Sequence, residues 1–238
     1  MKNRRQIILL TTIFLLAVTD FCFARAGGGG GLGGGGGAGG GIFTTILAFI
    51  LAPFFLAYSI IVSLKLERRR NSVTKLTKQL EKTDRMWNYR KMIARVEITF
   101  FKVQEAWMER NQDLAKEFMS VRIYQKHRLQ TDEMITNGTK NMLAKMNIEE
   151  KMIISVSDYN DNSEDSFSVY IKGSMVDYTI DDKTNALISG DNTNPEVFKE
   201  IWVFIREKNN WVLDDIDQNV SIGDINHSRA FTERKLNN

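Results

Sequence analysis

Cysteine occurs once, at Cys22, in a chain of 238 residues, so neither an intramolecular disulfide nor a cysteine-based metal site can form. Histidine occurs twice, and His127 and His227 lie far apart without ligand-like spacing. A zinc site would therefore draw most of its ligands from carboxylates, and no metal or cofactor is expected. Glycine is scarce outside one block, since 13 of the 17 glycines lie between Gly27 and Gly41. No Lys-Ser/Thr pair closes that block and no strand and helix flank it, which argues against a phosphate-cradling loop. A stretch of this composition buries no apolar surface and loses much backbone entropy when ordered, so 27–41 reads as a linker.

Positive charge is short where a nucleic-acid binder would need it. The formal net charge is +3, but residues 131–238 carry 11 Lys/Arg against 20 acids, while residues 1–70 carry eight against two and residues 71–130 carry 13 against seven. Neutralising phosphates requires basic charge clustered on the folded domain, so no nucleic-acid partner is expected.

What the chain does contain is apolar segments with basic flanks. Lys2, Arg4 and Arg5 precede the apolar run Ile7–Thr19, and Ala24-Arg25-Ala26 offers a cleavage site, so residues 1–26 read as a signal peptide or a short first membrane span. Ile42–Leu64 holds no charge and is long enough to cross a bilayer, with a kink tolerated at Pro53. Lys65, Arg68, Arg69, Arg70, Lys75 and Lys78 follow it, opposed only by Glu67. The positive-inside rule then puts the downstream domain on the cytoplasmic side of an inner membrane, whether or not residues 1–26 are removed. These six cations are the candidate contacts to anionic lipid, and 65–89 is the expected basic juxtamembrane helix.

Beyond the anchor, Val73, Leu76, Leu80 and Trp87 follow a helical spacing, and Ile93, Val96, Phe100, Phe101, Val103, Trp107 and Met108 form a wider helical stripe. A break is expected at Asn111, then a second helix, and after Asn137-Gly138 a short helix over Thr139–Met146. From Lys151 the pattern turns to strands: Lys151–Asp158, Ser166–Lys172, Val176–Ile180, and a hairpin of Glu196–Arg206 with Trp211–Ile216. The polar segment 218–238 reads as a frayed tail. Helices followed by antiparallel strands give an α+β domain over 90–217.

Phe101-x-x-Gln104-x-x-Trp107, Gly190-Asp191, Glu200-x-Trp202-x-Phe204-x-Arg206 and Trp211-x-Leu213-x-x-Ile216 together resemble the Tim44-like domain family over about Arg90 to Asp217. That resemblance implies a cone of the nuclear-transport-factor-2 type, with helices over a curved antiparallel sheet that encloses an apolar pocket. It also implies a membrane-bound scaffold that contacts anionic lipid and an unidentified protein partner and assists protein translocation or membrane-complex assembly. No catalysis is expected. Phe101, Trp107, Trp202, Phe204 and Trp211 are the candidate pocket or core residues. The competing reading is a membrane-tethered ligand-binding module or enzyme of the same cone type, for which Asp158, Tyr159, Asp177 and Tyr178 supply the chemical types. Alternation along the strand puts Tyr178 on the face shared by Val176 and Ile180, and Asp177 on the solvent side.

Overall fold

The computed structural model describes residues 42–220 and 229–233; within the first helix, 42–53, 55, 59 and 62 are described in backbone alone. The expected signal segment 1–26 and the linker 27–41 lie outside the described residues.

Helix α1 runs without a break over Ile42–Leu80. The 65–89 segment is therefore not a helix of its own: its first part completes α1, and Arg85–Trp87 forms a separate 3-10 turn capped by Asp84. Asp84 accepts from the Met86 N–H at 2.9 Å, and such a local side-chain bond competes with helix continuation. Asn88 then caps α2, Tyr89–Met108, by accepting from Lys91 N–H. The buried side of α2 holds Met92, Val96, Phe100, Val103 and Trp107, a stripe at three- and four-residue steps. Phe101 falls one position off that stripe and is 38 % exposed, which corrects its assignment to the core; Phe100 takes the inward place.

The break at Asn111 is present, with Arg110 at a φ of 50° and Asn111 capping a second 3-10 segment, Gln112–Phe118. Helix α3, Val121–Thr136, starts at Ser120 and buries only Ile123, His127 and Thr131.

Five strands follow: β1 Thr139–Asp158, β2 Ser166–Asp181, β3 Leu187–Glu207, β4 Asn210–Asp217 and β5 Ala230–Thr232. They form a sheet in the order β4-β3-β2-β1-β5, antiparallel except for the short parallel β1–β5 contact. Three sequence-based expectations are corrected here. Thr139–Met146 is the start of β1, because Thr139–Ala144 pairs with Val176–Asp181 and this long-range ladder overrides a weak helical preference. Ser166–Lys172 and Val176–Ile180 are one strand: a Cβ at Gly173 would overlap the Asn147 carbonyl and the Phe198 ring, so glycine there permits close approach rather than a turn. The tail is not frayed throughout, since Ala230–Thr232 returns to pair with Val156–Asp158.

Register shifts between Ala144 and Asn147, Ile148 and Glu150, and Ile153 and Ser155 make β1 irregular, and bulges of this kind increase local bend and twist. The sheet curls, and one face carries the main core. Phe100 stacks on Phe198, Phe167 on Phe204, and Trp87 and Trp211 meet at 4.9 Å. Val73, Leu76 and Leu80 of α1 join this core. Leu66, two turns earlier, packs instead with Met152, Ile154, Tyr170 and Ile201, whose side chains alternate to the other face. Helix α1 therefore passes from one face of the sheet to the other while packing along β1 and β5.

Candidate membrane-facing site

The apolar part of α1 presents Phe54, Leu56, Tyr58, Ile60, Ile61 and Leu64 as exposed side chains. At 100° per residue these six point to several sides of the helix rather than to one stripe. Among the described residues no helix is long and apolar enough to cross a membrane. The side chains of 42–53, over half of the apolar run Ile42–Leu64, fall outside those residues.

Directly after Leu64 the helix changes character. Leu66 is buried, and Val73, Thr77 and Leu80 are wholly so. Arg68, Arg70, Lys75 and Lys78 are exposed, and Lys65 and Arg69 are half-buried. Helical angles put Arg68, Lys75 and Lys78 away from the Leu66–Val73–Leu80 stripe, so packing and charge use different sides of one helix. Arg70 pairs with Glu67 at 3.6 Å, both more than half exposed, a contact that contributes little. A cleft of about 390 Å³ lies beside Arg70, walled by Tyr89, Ile93, Ile148 and Met152 and by the charged Glu149, Glu150 and Lys151.

The remaining motif residues are internal ties. Trp107, Trp202, Phe204 and Trp211 are buried. Trp107 donates from Nε1 to Asn141 Oδ1 at 3.1 Å, and Asn141 donates to Asp177 Oδ1 at 2.8 Å. Glu200, though almost fully enclosed, accepts from Trp202 Nε1 at 2.8 Å and from Gln218 Nε2 at 3.0 Å. Arg206 bridges Asp84, just past α1, to Asp165 in the β1–β2 connection, the latter at 3.0 Å. Burial pushes the Asp165 carboxyl above its usual range, against the pull of the Tyr159 N–H and of Arg206. Burial pushes the Tyr170 hydroxyl up to about 12, and the negative charge of Glu150 adds to the shift.

Asp177 is buried, not on the solvent side. Alternation along β2 turns Phe167, Val169, Ile171 and Met175 to the main core, and Asp177 continues that series opposite Leu143, so the carboxylate takes the inward face while Val176 lies on the other. Asp158 and Tyr159 sit at the opposite end of the β1–β2 ladder, where Ser157 pairs with Ser166 while Asp177 pairs with Leu143. The four acid and tyrosine residues are not brought to one place. Among the described residues no three His, Cys, Asp or Glu side chains converge as metal ligands would.

A family model of the Tim44-like domain matches residues 73–218. No curated protein sequence matches the chain. Among solved structures, the intermembrane space region of the chloroplast protein ARC6 is similar at 12% identity with a TM-score of 0.35, over 51% of this chain and 92% of that one. A likeness that slight bears on neither mechanism nor partner.

Proposed function

The chain belongs to the Tim44-like domain family, and from that premise we propose that it is a membrane-anchored scaffold: Ile42–Leu64 spans the bilayer and the folded domain works on the Lys/Arg-rich, cytoplasmic side. The observation that carries the reading is the continuity of α1. One helix bears exposed apolar side chains up to Leu64 and beyond it cations on one side with Leu66, Val73, Leu76 and Leu80 in the domain's packing clusters on another. In this reading the span is a rigid extension of the domain rather than a leash.

That rigidity ranks the candidate lipid contacts. A helix rises about 1.5 Å per residue, so an upright α1 carries Arg70 roughly 9 Å and Lys78 roughly 21 Å beyond Leu64. Charges more than about 8–10 Å from the surface are largely screened at physiological salt. Lys65, Arg68, Arg69 and Arg70 then contact anionic headgroups, each contributing about 1 kcal/mol, whereas Lys75 and Lys78 stand off and face a protein partner. The scaffold assists protein translocation or assembly of a membrane complex by holding that partner at a set height.

Protease protection of the full chain tests the side. The domain is digested in inverted vesicles and protected in right-side-out ones; the reverse pattern defeats the topology. Flotation of a fragment beginning at Lys65, which keeps Leu66 in its packing cluster, tests lipid contact. Equal recovery with neutral and anionic vesicles would rule that contact out.

A further inference from the structure

Past the end of α1 lies a cleft of about 400 Å³ between the Arg85–Trp87 turn, the start of α2 and the β3–β4 hairpin. Four cationic side chains, Arg85, Lys91, Arg95 and Arg206, line it against one carboxylate, Asp84. Asp84 is already engaged by Arg206, which also holds Asp165. Arg95 is held by neutral groups: its Nε donates to the Trp211 carbonyl at 3.0 Å, its Nη2 to the Glu117 carbonyl at 2.8 Å, and its guanidinium lies 4.2 Å over the Phe118 ring. These contacts fix its position without a carboxylate in bonding distance, and the Glu117 side chain acts on its charge only through space. Arg85 and Lys91 are exposed and have no ion-pair partner among the described residues. Met86 and Trp211 supply an apolar wall, tied together by Trp211 Nε1 donating to the Met86 carbonyl at 3.0 Å.

Resting on the scaffold reading above, we propose that this cleft docks an acidic, extended segment of a protein partner, with Asp or Glu side chains on Arg85, Lys91 and Arg95 and an adjoining aliphatic or aromatic side chain against Met86 and Trp211. Charge complementarity identifies the class of ligand. The cations come from the 3-10 turn and from two successive turns of α2, which spreads them along the cleft as a chain of acidic side chains requires; a single small anion needs them converging on one point. Headgroup phosphates carry the same charge but bring no adjoining side chain to the Met86–Trp211 wall, so an acidic peptide segment is the ligand that uses the whole lining.

The test uses the full chain in nanodiscs of neutral phosphatidylcholine and a fluorescein-labelled peptide of about ten residues, rich in Glu with one central Phe. Fluorescence anisotropy should show the Glu peptide binding at least tenfold more tightly than its Gln counterpart, with affinity falling as salt rises. The double variant Arg85→Glu/Lys91→Glu, exposed at both positions, should lose at least tenfold in affinity at an unchanged melting temperature. Anionic vesicles should not displace the peptide. Equal affinity for the Glu and Gln peptides, full binding by the double variant, or complete displacement by inorganic phosphate at matched ionic strength would each overturn the proposal. The same peptide assay in detergent micelles separates the two readings, because peptide binding there survives even where the topology experiment fails.

Discussion

Replacing Trp107 with alanine tests the packing logic of the domain most directly. The indole is 1% exposed, lies edge-on to His127 with ring centroids 5.6 Å apart, and donates to Asn141. A tryptophan buries roughly 150–250 Å², which at about 25 cal/mol per Å² sets an upper bound of roughly 4–6 kcal/mol. Trp→Ala losses in cores run at about 3–5 kcal/mol, and leaving Asn141 Oδ1 without its donor adds at least about 1 kcal/mol. A total of about 4–6 kcal/mol corresponds, at roughly 2–4 °C per kcal/mol for a domain of this size, to a fall in melting temperature of at least about 8 °C. Trp107→Phe keeps most of the apolar volume and loses only the N–H, so its cost should be about 1–3 kcal/mol. Thermal unfolding of the solubilised full chain, followed by circular dichroism, measures both. A Trp107→Ala protein melting within about 2 °C of the parent would refute the core assignment. Equal damage from the two variants would show that the hydrogen-bonded chain to Asn141 and Asp177, not ring volume, dominates.

Three further outcomes are expected. His127 is wholly buried with neither ring nitrogen hydrogen-bonded, and burial, helped by Lys126, lowers its pKa from 6.5 to about 4. Folding favours the neutral ring, so its contribution is intact above pH 6.5 and is lost as pH falls towards about 4, by roughly 3 kcal/mol. His127→Leu should flatten this pH dependence of the melting temperature, and an unchanged slope would contradict it. Arg206→Met strips the partner from Asp84 and the fully buried Asp165 and should cost about 3–5 kcal/mol at pH 7. Because burial already raises the Asp165 pKa, the penalty grows as pH rises through that pKa and shrinks in acid, so a pH-independent deficit would argue against the burial account. Gly190 has a φ of +86° and a Cβ there would overlap the Asp177 carbonyl oxygen, so Gly190→Ala should cost at least about 1–3 kcal/mol, and a parental melting temperature would disprove the close approach.

Much of the fold is legible in local pattern. The break at Asn111 shows as a polar Asn-Gln-Asp interruption of a helical stripe, and it coincides with a cap and a positive φ. The β3–β4 hairpin shows as two β-branched and aromatic runs around Glu207-Lys208-Asn209-Asn210, and Glu207 pairs with Asn210 as that spacing implies. The membrane-facing candidates are legible for the same reason, since an uncharged run followed by clustered cations is a property of composition alone. The cleft at Arg85, Lys91 and Arg95 is not, because its other wall, Trp211, lies more than a hundred residues away and nothing in the local pattern joins them.

By itself the sequence determined the order of blocks along the chain, the α+β class and the family, because each rests on periodicity, composition or motif within a short window. Only the tertiary structure decided that Phe100 rather than Phe101 turns inward, that Asp177 is enclosed, that Thr139–Met146 is strand, and that α1 packs into the same clusters as the sheet. The physical reason is common to all four. A local pattern sets the period of an element, but which of its faces is covered depends on the distant surface packed against it.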